Sequence, residues 1–126
     1  MKTFFALSLV GLILAAGQAS AACINIRNTY TGSVPANSSV IAEGPFTMTT
    51  ANGCAQANIS STISAVGAGS PPALFIDRLV GSSWTQVGGG TGTTASYLGP
   101  VGTYRIRHVN NTVAVKVYSG TTSYGR

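Results

Sequence analysis

The stretch GTYRIRHVNNTVAVKVY, residues 102–118, concentrates the basic side chains of this protein. Arg105, Arg107 and Lys116 lie within it, whereas the whole 126-residue chain has seven Lys and Arg residues, two acidic residues and a formal net charge of +5. Cationic side chains attract phosphate, sulfate and carboxylate groups. The stretch therefore indicates either an anion-binding surface or the solvated side of a sheet.

The same stretch is predicted to form a β-hairpin. Apolar and polar residues alternate, and Asn110-Asn111 suits a two-residue type I′ turn because Asn tolerates positive φ. In that register Arg105 lies opposite Lys116. The predicted core face holds Tyr104, Ile106, His108, Val113, Val115 and Val117, with His108 near its rim, and the predicted outer face holds Arg105, Arg107, Lys116 and Tyr118.

These four outer residues, Arg105, Arg107, Lys116 and Tyr118, are the candidate anion-binding face. Like charges in opposite positions of a hairpin cost roughly a few tenths of a kcal/mol, which a bound anion offsets. The expected ligand is an anionic glycan or a cell-surface polymer rather than nucleic acid, since three basic residues without a groove are a weak nucleic-acid signal. In the alternative, the face is only solvated, and its charges keep an edge strand from pairing with other chains.

Enzymatic chemistry has few candidate residues in this chain. The acidic side chains are Glu43 and Asp77, and His108 is the one histidine. No GxSxG elbow is present, a zinc site lacks ligands, and the run GGGTGTT at 88–94 lacks the GxxxxGK[ST] pattern, so that it indicates a mobile loop. Asp77 is expected to balance the charge of its neighbour Arg78. The sequence predicts a non-enzymatic protein without catalytic residues, metal or cofactor; a small secreted hydrolase is the enzymatic alternative.

The N-terminus is predicted to be a secretory signal peptide, residues 1–21. Lys2 precedes an apolar run of about 13 residues, and Ala19 and Ala21 occupy the positions before the cleavage site. That run is shorter than the roughly 20 residues needed to span a bilayer. We expect a single mature domain, residues 22–126, without a membrane span, that is secreted, periplasmic or attached to the cell surface.

Cys23 and Cys54 are the two cysteines of the chain. In an exported protein of this size they most simply form one disulfide. Closing a loop of about 32 residues stabilises the fold by roughly 3 to 4 kcal/mol in the chain-entropy model. Lipidation of Cys23 is the less favoured alternative, because Ser20 stands where a lipobox has Leu.

Period-two alternation recurs along the mature chain, and helical periodicity does not. Residues 57–66 are the clearest case, with Ala57, Ile59, Ile63 and Ala65 on one face and polar residues on the other. Gly44-Pro45 predicts a kink or bulge within its strand. About seven short strands separated by Gly, Pro and Asn clusters predict an antiparallel β-sandwich. The predicted strands are 24–27, 40–49, 57–66, 73–80, 84–87, 104–109 and 113–118.

The segment LGPVGTYRI, residues 98–106, resembles the approach to the penultimate strand of immunoglobulin-like sandwiches. The resemblance implies that Tyr104 is a structural tyrosine corner, whose hydroxyl bonds back to the backbone. More broadly, ALFIDRLVGSSWTQVGG followed by GPVGTYRIRHVNN resembles small β-sandwich modules of phage and other surface structural proteins. That second resemblance implies a structural role.

Two non-enzymatic functions follow from these observations. Low charge and many small polar residues favour a surface structural protein that assembles with copies of itself, with residues 22–31 as an exchanged edge strand. The basic stretch, with Trp84 if it is exposed, favours instead a monomeric module that binds a polyanion.

Overall fold

The computed structural model describes residues 23–126, so the predicted signal peptide and its boundary lie outside the described residues. The predicted all-β antiparallel sandwich is confirmed, with eight strands in place of about seven. They are β1 (Asn25–Val34), β2 (Ser38–Met48), β3 (Ala57–Ala65), β4 (Ala73–Val80), β5 (Ser83–Gly90), β6 (Thr94–Gly99), β7 (Gly102–Asn110) and β8 (Lys116–Gly125). A single turn of 3-10 helix, Thr50–Asn52, precedes β3.

The strands pair as nested partners. One four-stranded sheet has the order β1-β8-β3-β6 and the other has the order β2-β7-β4-β5. The chain thus folds back at the turn between β4 and β5, and the pairs β3-β6, β2-β7 and β1-β8 follow outward. This is the nested order of a jelly roll, and it differs from an immunoglobulin domain, in which the first two strands are neighbours.

The core lies between the two sheets and follows the predicted alternation. In β3, Ala57, Ile59 and Ile63 are buried while the residues between them include exposed Asn58 and Thr62. The predicted assignment of the two faces of this strand is confirmed. Period-two alternation places every second side chain of a strand against the opposite sheet, and most of these buried side chains are apolar.

The predicted hairpin between residues 104–109 and 113–118 does not form. β7 pairs with β2 and β4, whereas β8 pairs with β1 and β3 in the opposite sheet. The prediction that Val113, Val115 and Val117 belong to the core is wrong: their exposed fractions are 90%, 60% and 45%. β8 begins only at Lys116.

Asn110 explains why the chain crosses between the sheets here instead of turning back. Its side chain is buried, and its Nδ2 donates to the carbonyls of Val34 (3.1 Å) and Ala114 (2.7 Å). Its Oδ1 accepts the backbone N–H of Thr112 at 3.0 Å. The side-chain amide thus bonds backbone groups at two crossings, β1 to β2 and β7 to β8.

The glycine run at 88–94 is not a long mobile loop. Gly88, Gly89 and Gly90 end β5, and β6, which the sequence did not predict, begins at Thr94. Gly89 has φ +97°, and a Cβ on it would clash with the carbonyl oxygen of Leu74. Glycine is therefore required for close pairing with β4.

The strand interruption expected at Gly44-Pro45 is present. The pairing of β2 with β7 shifts its register between Ile41 and Glu43 and again between Glu43 and Phe46. Gly44 has φ +105°, a conformation that favours glycine.

The predicted disulfide is present. It joins Cys23, just before β1, to Cys54, just before β3, with a Cα–Cα distance of 4.7 Å. The bond ties the start of the first sheet's edge strand to the segment that leads into a central strand of the same sheet.

Intact-mass measurement of the purified protein is expected to show the loss of two hydrogens relative to the dithiol, because the two cysteines are bonded. Alkylation of both thiols without prior reduction contradicts this expectation.

Candidate anion-binding site

Arg105 and Arg107 lie on the outer face of the sheet β2-β7-β4-β5. The residues between and beside them in β7, Tyr104, Ile106 and His108, are buried against the core. Alternation along β7 therefore sends the two guanidinium groups to the same solvent side. This part of the predicted face is as the sequence placed it.

Asp77 of β4 lies between the two arginines. It is the register partner of Arg105. Its Oδ2 accepts from Arg105 Nε at 3.0 Å and from Arg107 Nε at 2.8 Å, and its Oδ1 accepts from Arg107 Nη2 at 3.2 Å. Asp77 is 2% exposed and the two arginine side chains are 21% and 23% exposed, so the guanidinium groups cover the carboxylate.

The ionised form of Asp77 is favoured despite its burial. Burial opposes ionisation, but the hydrogen bonds and positive charges of Arg107 and Arg105 outweigh it and lower the pKa of the carboxyl below its ordinary value. The expected local charge balance between Asp77 and its sequence neighbour Arg78 is wrong, since Asp77 bonds across strands instead.

Each arginine also stacks on an aromatic ring. Arg105 Cζ lies 4.3 Å from the ring centroid of Trp84 in β5, and Arg107 Cζ lies 4.7 Å from that of Phe75 in β4. Such contacts contribute about 0.5–1 kcal/mol each at exposed sites. They also fix the guanidinium groups in place before any ligand arrives.

We call Phe75, Asp77, Trp84, Arg105 and Arg107 the arginine–aromatic face. Two guanidinium groups share one carboxylate, which leaves a net charge of +1. Of the Arg105 donors, Nε bonds Asp77, so this bond leaves both Nη groups of Arg105 for an external acceptor. Guanidinium groups bind carboxylate, sulfate and phosphate oxygens with paired donors.

Lys116 and Tyr118 do not belong to this face. Lys116 lies in the other sheet, and its Nζ donates to the carbonyl and the hydroxyl of Ser70 at 2.7 and 3.1 Å. Tyr118 is 5% exposed and part of the core. The predicted opposition of Arg105 and Lys116 is therefore wrong, because the hairpin that would create it does not exist.

His108 is completely buried rather than at the rim. Its ring lies 4.3 Å from that of Tyr118 in an edge-on arrangement and 6.3 Å from that of Tyr30. Neither ring nitrogen has a hydrogen-bond partner among the described residues. Burial lowers the pKa of His108 to about 4, so the ring is neutral at physiological pH.

Tyr104 is buried, and its hydroxyl donates to the carbonyl of Pro100 at 2.6 Å. This is the short backward bond to the backbone that the sequence resemblance implies for it. Burial raises the pKa of Tyr104, so the hydroxyl remains a donor.

The residues imagined for catalysis do not converge. Asp77 faces the outside of its sheet, and His108 faces the core between the sheets. Glu43 accepts a hydrogen bond from Asn28 Nδ2 at 3.3 Å. Within residues 23–126, no group of three potential metal ligands is found, and no helix is long and apolar enough to span a membrane.

Comparison with known proteins supports the fold. No protein-family model matches the chain, and no curated protein matches it. The solved structure of the Yersinia pseudotuberculosis-derived mitogen is similar, with a TM-score of 0.60 and 18% identity over 79% of this chain and 86% of that one. At this identity the similarity shows the β-sandwich fold alone.

Two further structures are more distant. One is the disulfide-linked pili of Bacillus endospore appendages, with a TM-score of 0.39 and 13% identity over 84% of this chain and 90% of that one. The other is FLHE, with a TM-score of 0.40 and 15% identity over 83% and 97%. Scores this low carry no argument about this protein.

Sequence reasoning missed Phe75 and Asp77 and left Trp84 conditional on its exposure. A signal was present: Phe75 and Asp77 are two residues apart, as are Arg105 and Arg107, so each pair shares one strand face. What the sequence lacked was the pairing of β4 with β7 that sets Asp77 beside Arg105.

Proposed function

We propose that this is an exported, non-enzymatic protein that binds acidic polysaccharide through the arginine–aromatic face. Export is supported by the signal-like N-terminus and by the disulfide, a bond typical of oxidising compartments. A non-enzymatic role is supported by the placement of Asp77 and His108 on opposite faces of their sheet.

The observation that carries the proposal is the surplus of one cation on a rigid surface. Arg105 and Arg107 share the single carboxylate of Asp77 while resting on Trp84 and Phe75. A guanidinium held in this way loses little side-chain entropy when it binds an anion. The remaining donors of Arg105 favour carboxylate or sulfate groups, which can accept two N–H bonds from one guanidinium.

A glycan fits this face better than a nucleic acid does. Nucleic-acid affinity comes from neutralising many successive phosphates, and this face offers two guanidinium groups, one of which bonds Asp77 through two nitrogens. A single carboxylate or sulfate group of an acidic polysaccharide needs only one such contact.

Replacing Arg105 by Gln is expected to weaken binding to polygalacturonate or dextran sulfate about tenfold. A charge-assisted hydrogen bond is worth about 1.5–3 kcal/mol, and about 1.4 kcal/mol is a factor of ten. Asp77 keeps both bonds to Arg107 in this variant, so the fold is retained. Isothermal titration calorimetry at low ionic strength is the measurement.

The matched control is Arg27→Gln, which removes one charge from an exposed position of the other sheet. It is expected to change affinity by less than about twofold, within the effect of a distant screened charge. Equal losses in both variants indicate attraction to net charge alone. Binding of neutral dextran as tightly as polygalacturonate also contradicts the proposal.

Self-assembly is the second candidate, favoured by β1. This ten-residue strand is at the edge of its sheet, pairs with β8 on one side, and carries one charge, Arg27. Exposed edges with few charges are sites where strands of other chains add. Sedimentation velocity over a range of concentrations tests it: large species that disappear in Thr31→Pro support assembly through β1, and a monomer at all concentrations contradicts it.

A further inference from the structure

Four exposed valines lie where the chain enters β8. Val113 and Val115 belong to the irregular segment that bends before this strand, and Val66, Val115 and Val117 line one cleft. The backbone N–H of Val66, just after β3, donates to the carbonyl of Val117 at 3.0 Å. The exposed fractions are 90% for Val113, 60% for Val115, 45% for Val117 and 53% for Val66. We call these four residues the valine patch.

The composition of this segment is that of a buried strand face. Valine at every second position predicts burial, yet Asn110 directs the segment across the end of the sandwich and leaves the valines in solvent. Contiguous exposed apolar surface is often a site of contact with another molecule or a membrane.

A cation accompanies the valine patch. Lys116 lies between two clefts of about 230 and 220 Å³, and its Nζ is held by Ser70. The first cleft is lined largely by alanine and valine side chains. The carboxylates of the chain are elsewhere, Asp77 bonded to two arginines and Glu43 to Asn28, so the ammonium group of Lys116 has no anionic partner within residues 23–126.

We propose that this end of the sandwich docks on an anionic lipid surface, with the valine patch in the apolar boundary and Lys116 beside a headgroup phosphate. A second copy of the chain is the weaker occupant. The patch has four apolar residues, whereas a stable complex buries roughly 20–30 residues on each side. An anionic membrane surface has negatively charged headgroups above an apolar boundary. The exposed valines complement the apolar boundary, and the cation of Lys116 complements the headgroups.

Co-sedimentation with sucrose-loaded vesicles tests the proposal. The protein is expected to bind vesicles of phosphatidylglycerol and phosphatidylcholine, and the double variant Val113→Asp/Val115→Asp is expected to bind at least tenfold more weakly. The affinity of Lys116→Gln for these vesicles is expected to be about fivefold lower, since a basic residue at such a surface is worth about 1 kcal/mol. Its affinity for pure phosphatidylcholine vesicles is expected to equal that of the unaltered protein.

Val80→Asp is the matched control for the valine changes. Val80 is 51% exposed and lies at the far end of β4 from Ala73, which pairs with Val109 near the patch. Arg27→Gln is the control for net charge. Both variants are expected to bind vesicles with an affinity within about twofold of that of the unaltered protein. Both positions are distant from the valine patch, and salt screens charges at such a separation.

Two results overturn the proposal. One is the absence of vesicle binding, or binding that Val80→Asp reduces as much as Val113→Asp/Val115→Asp does. The other is a dimer in vesicle-free buffer that the double variant converts to a monomer, which assigns the valine patch to a second copy. Circular dichroism of each variant confirms that it is folded.

Discussion

Replacing Asp77 by Asn is expected to lower the free energy of unfolding by about 1.5–3 kcal/mol, the range for losing a hydrogen bond to a charged group, because the two arginines that remain are partly exposed and water solvates their charges. The substitution preserves size but removes the charge that Arg105 and Arg107 share. Two guanidinium groups then face each other across a neutral amide. Urea denaturation at neutral pH measures the effect.

Glu43→Gln is the control, because Glu43 is the other carboxylate of the chain and accepts one hydrogen bond from Asn28. It is expected to cost less than about 1 kcal/mol, as for a single partly exposed polar contact. Equal stabilities of Asp77→Asn and the unaltered protein would show that the arginines do not depend on Asp77.

Acidification from pH 7 to pH 4 is expected to remove about 3 kcal/mol of stability through His108 alone. The pKa of His108 is lowered to about 4 in the folded protein by burial, against about 6.5 in an unfolded chain. Between these values the unfolded state binds the proton and the folded state does not. Stability is therefore complete above about pH 6.5 and decreases as the pH falls toward 4.

His108 is the one histidine of the chain, so a single variant isolates its contribution. His108→Phe keeps an aromatic ring against Tyr118 and removes the titrating group. Urea unfolding at several pH values between 6.5 and 4.5 is expected to show a much flatter dependence in this variant. An equally steep dependence in both proteins would mean that His108 is not buried as a neutral ring.

Local alternation predicted the sandwich because each strand must place apolar residues on one side. Residues 57–66 gave the correct faces of β3, and Gly44-Pro45 gave the register shift in β2. The expected export signal and the two cysteines were enough to predict the disulfide. These features depend on short-range pattern or on chemistry that has few alternatives.

The pairing of strands distant in sequence was not predictable in the same way. Asn110-Asn111 fits a hairpin turn by local criteria, yet the buried amide of Asn110 bonds Val34, which is 76 positions earlier. That contact exists only once β7 pairs with β2, which sets Asn110 opposite Ser38. The exposed valines and the burial of Tyr118 follow from the same long-range choice.

The candidate site was likewise predicted correctly where it depends on local alternation and wrongly where it depends on strand pairing. Alternation along β7 correctly put Arg105 and Arg107 on one face. Lys116 and Tyr118 were assigned to the same face because their strand was predicted to pair with β7, whereas it pairs with β1 and β3. Adjacency in sequence suggested Arg78 as the partner of Asp77, but consecutive strand residues point to opposite faces. The true partners come from β7, across the sheet.

Fluorescence of Trp84 tests polyanion binding most directly, because it is the single tryptophan of the chain and Arg105 stacks on its ring at 4.3 Å. Titration with polygalacturonate at low ionic strength is predicted to change its emission saturably, to be reversed by salt, and to be lost in Arg105→Gln. Polygalacturonate that co-sediments with the protein without altering Trp84 emission, or that does not bind at all, contradicts the assignment of the arginine–aromatic face.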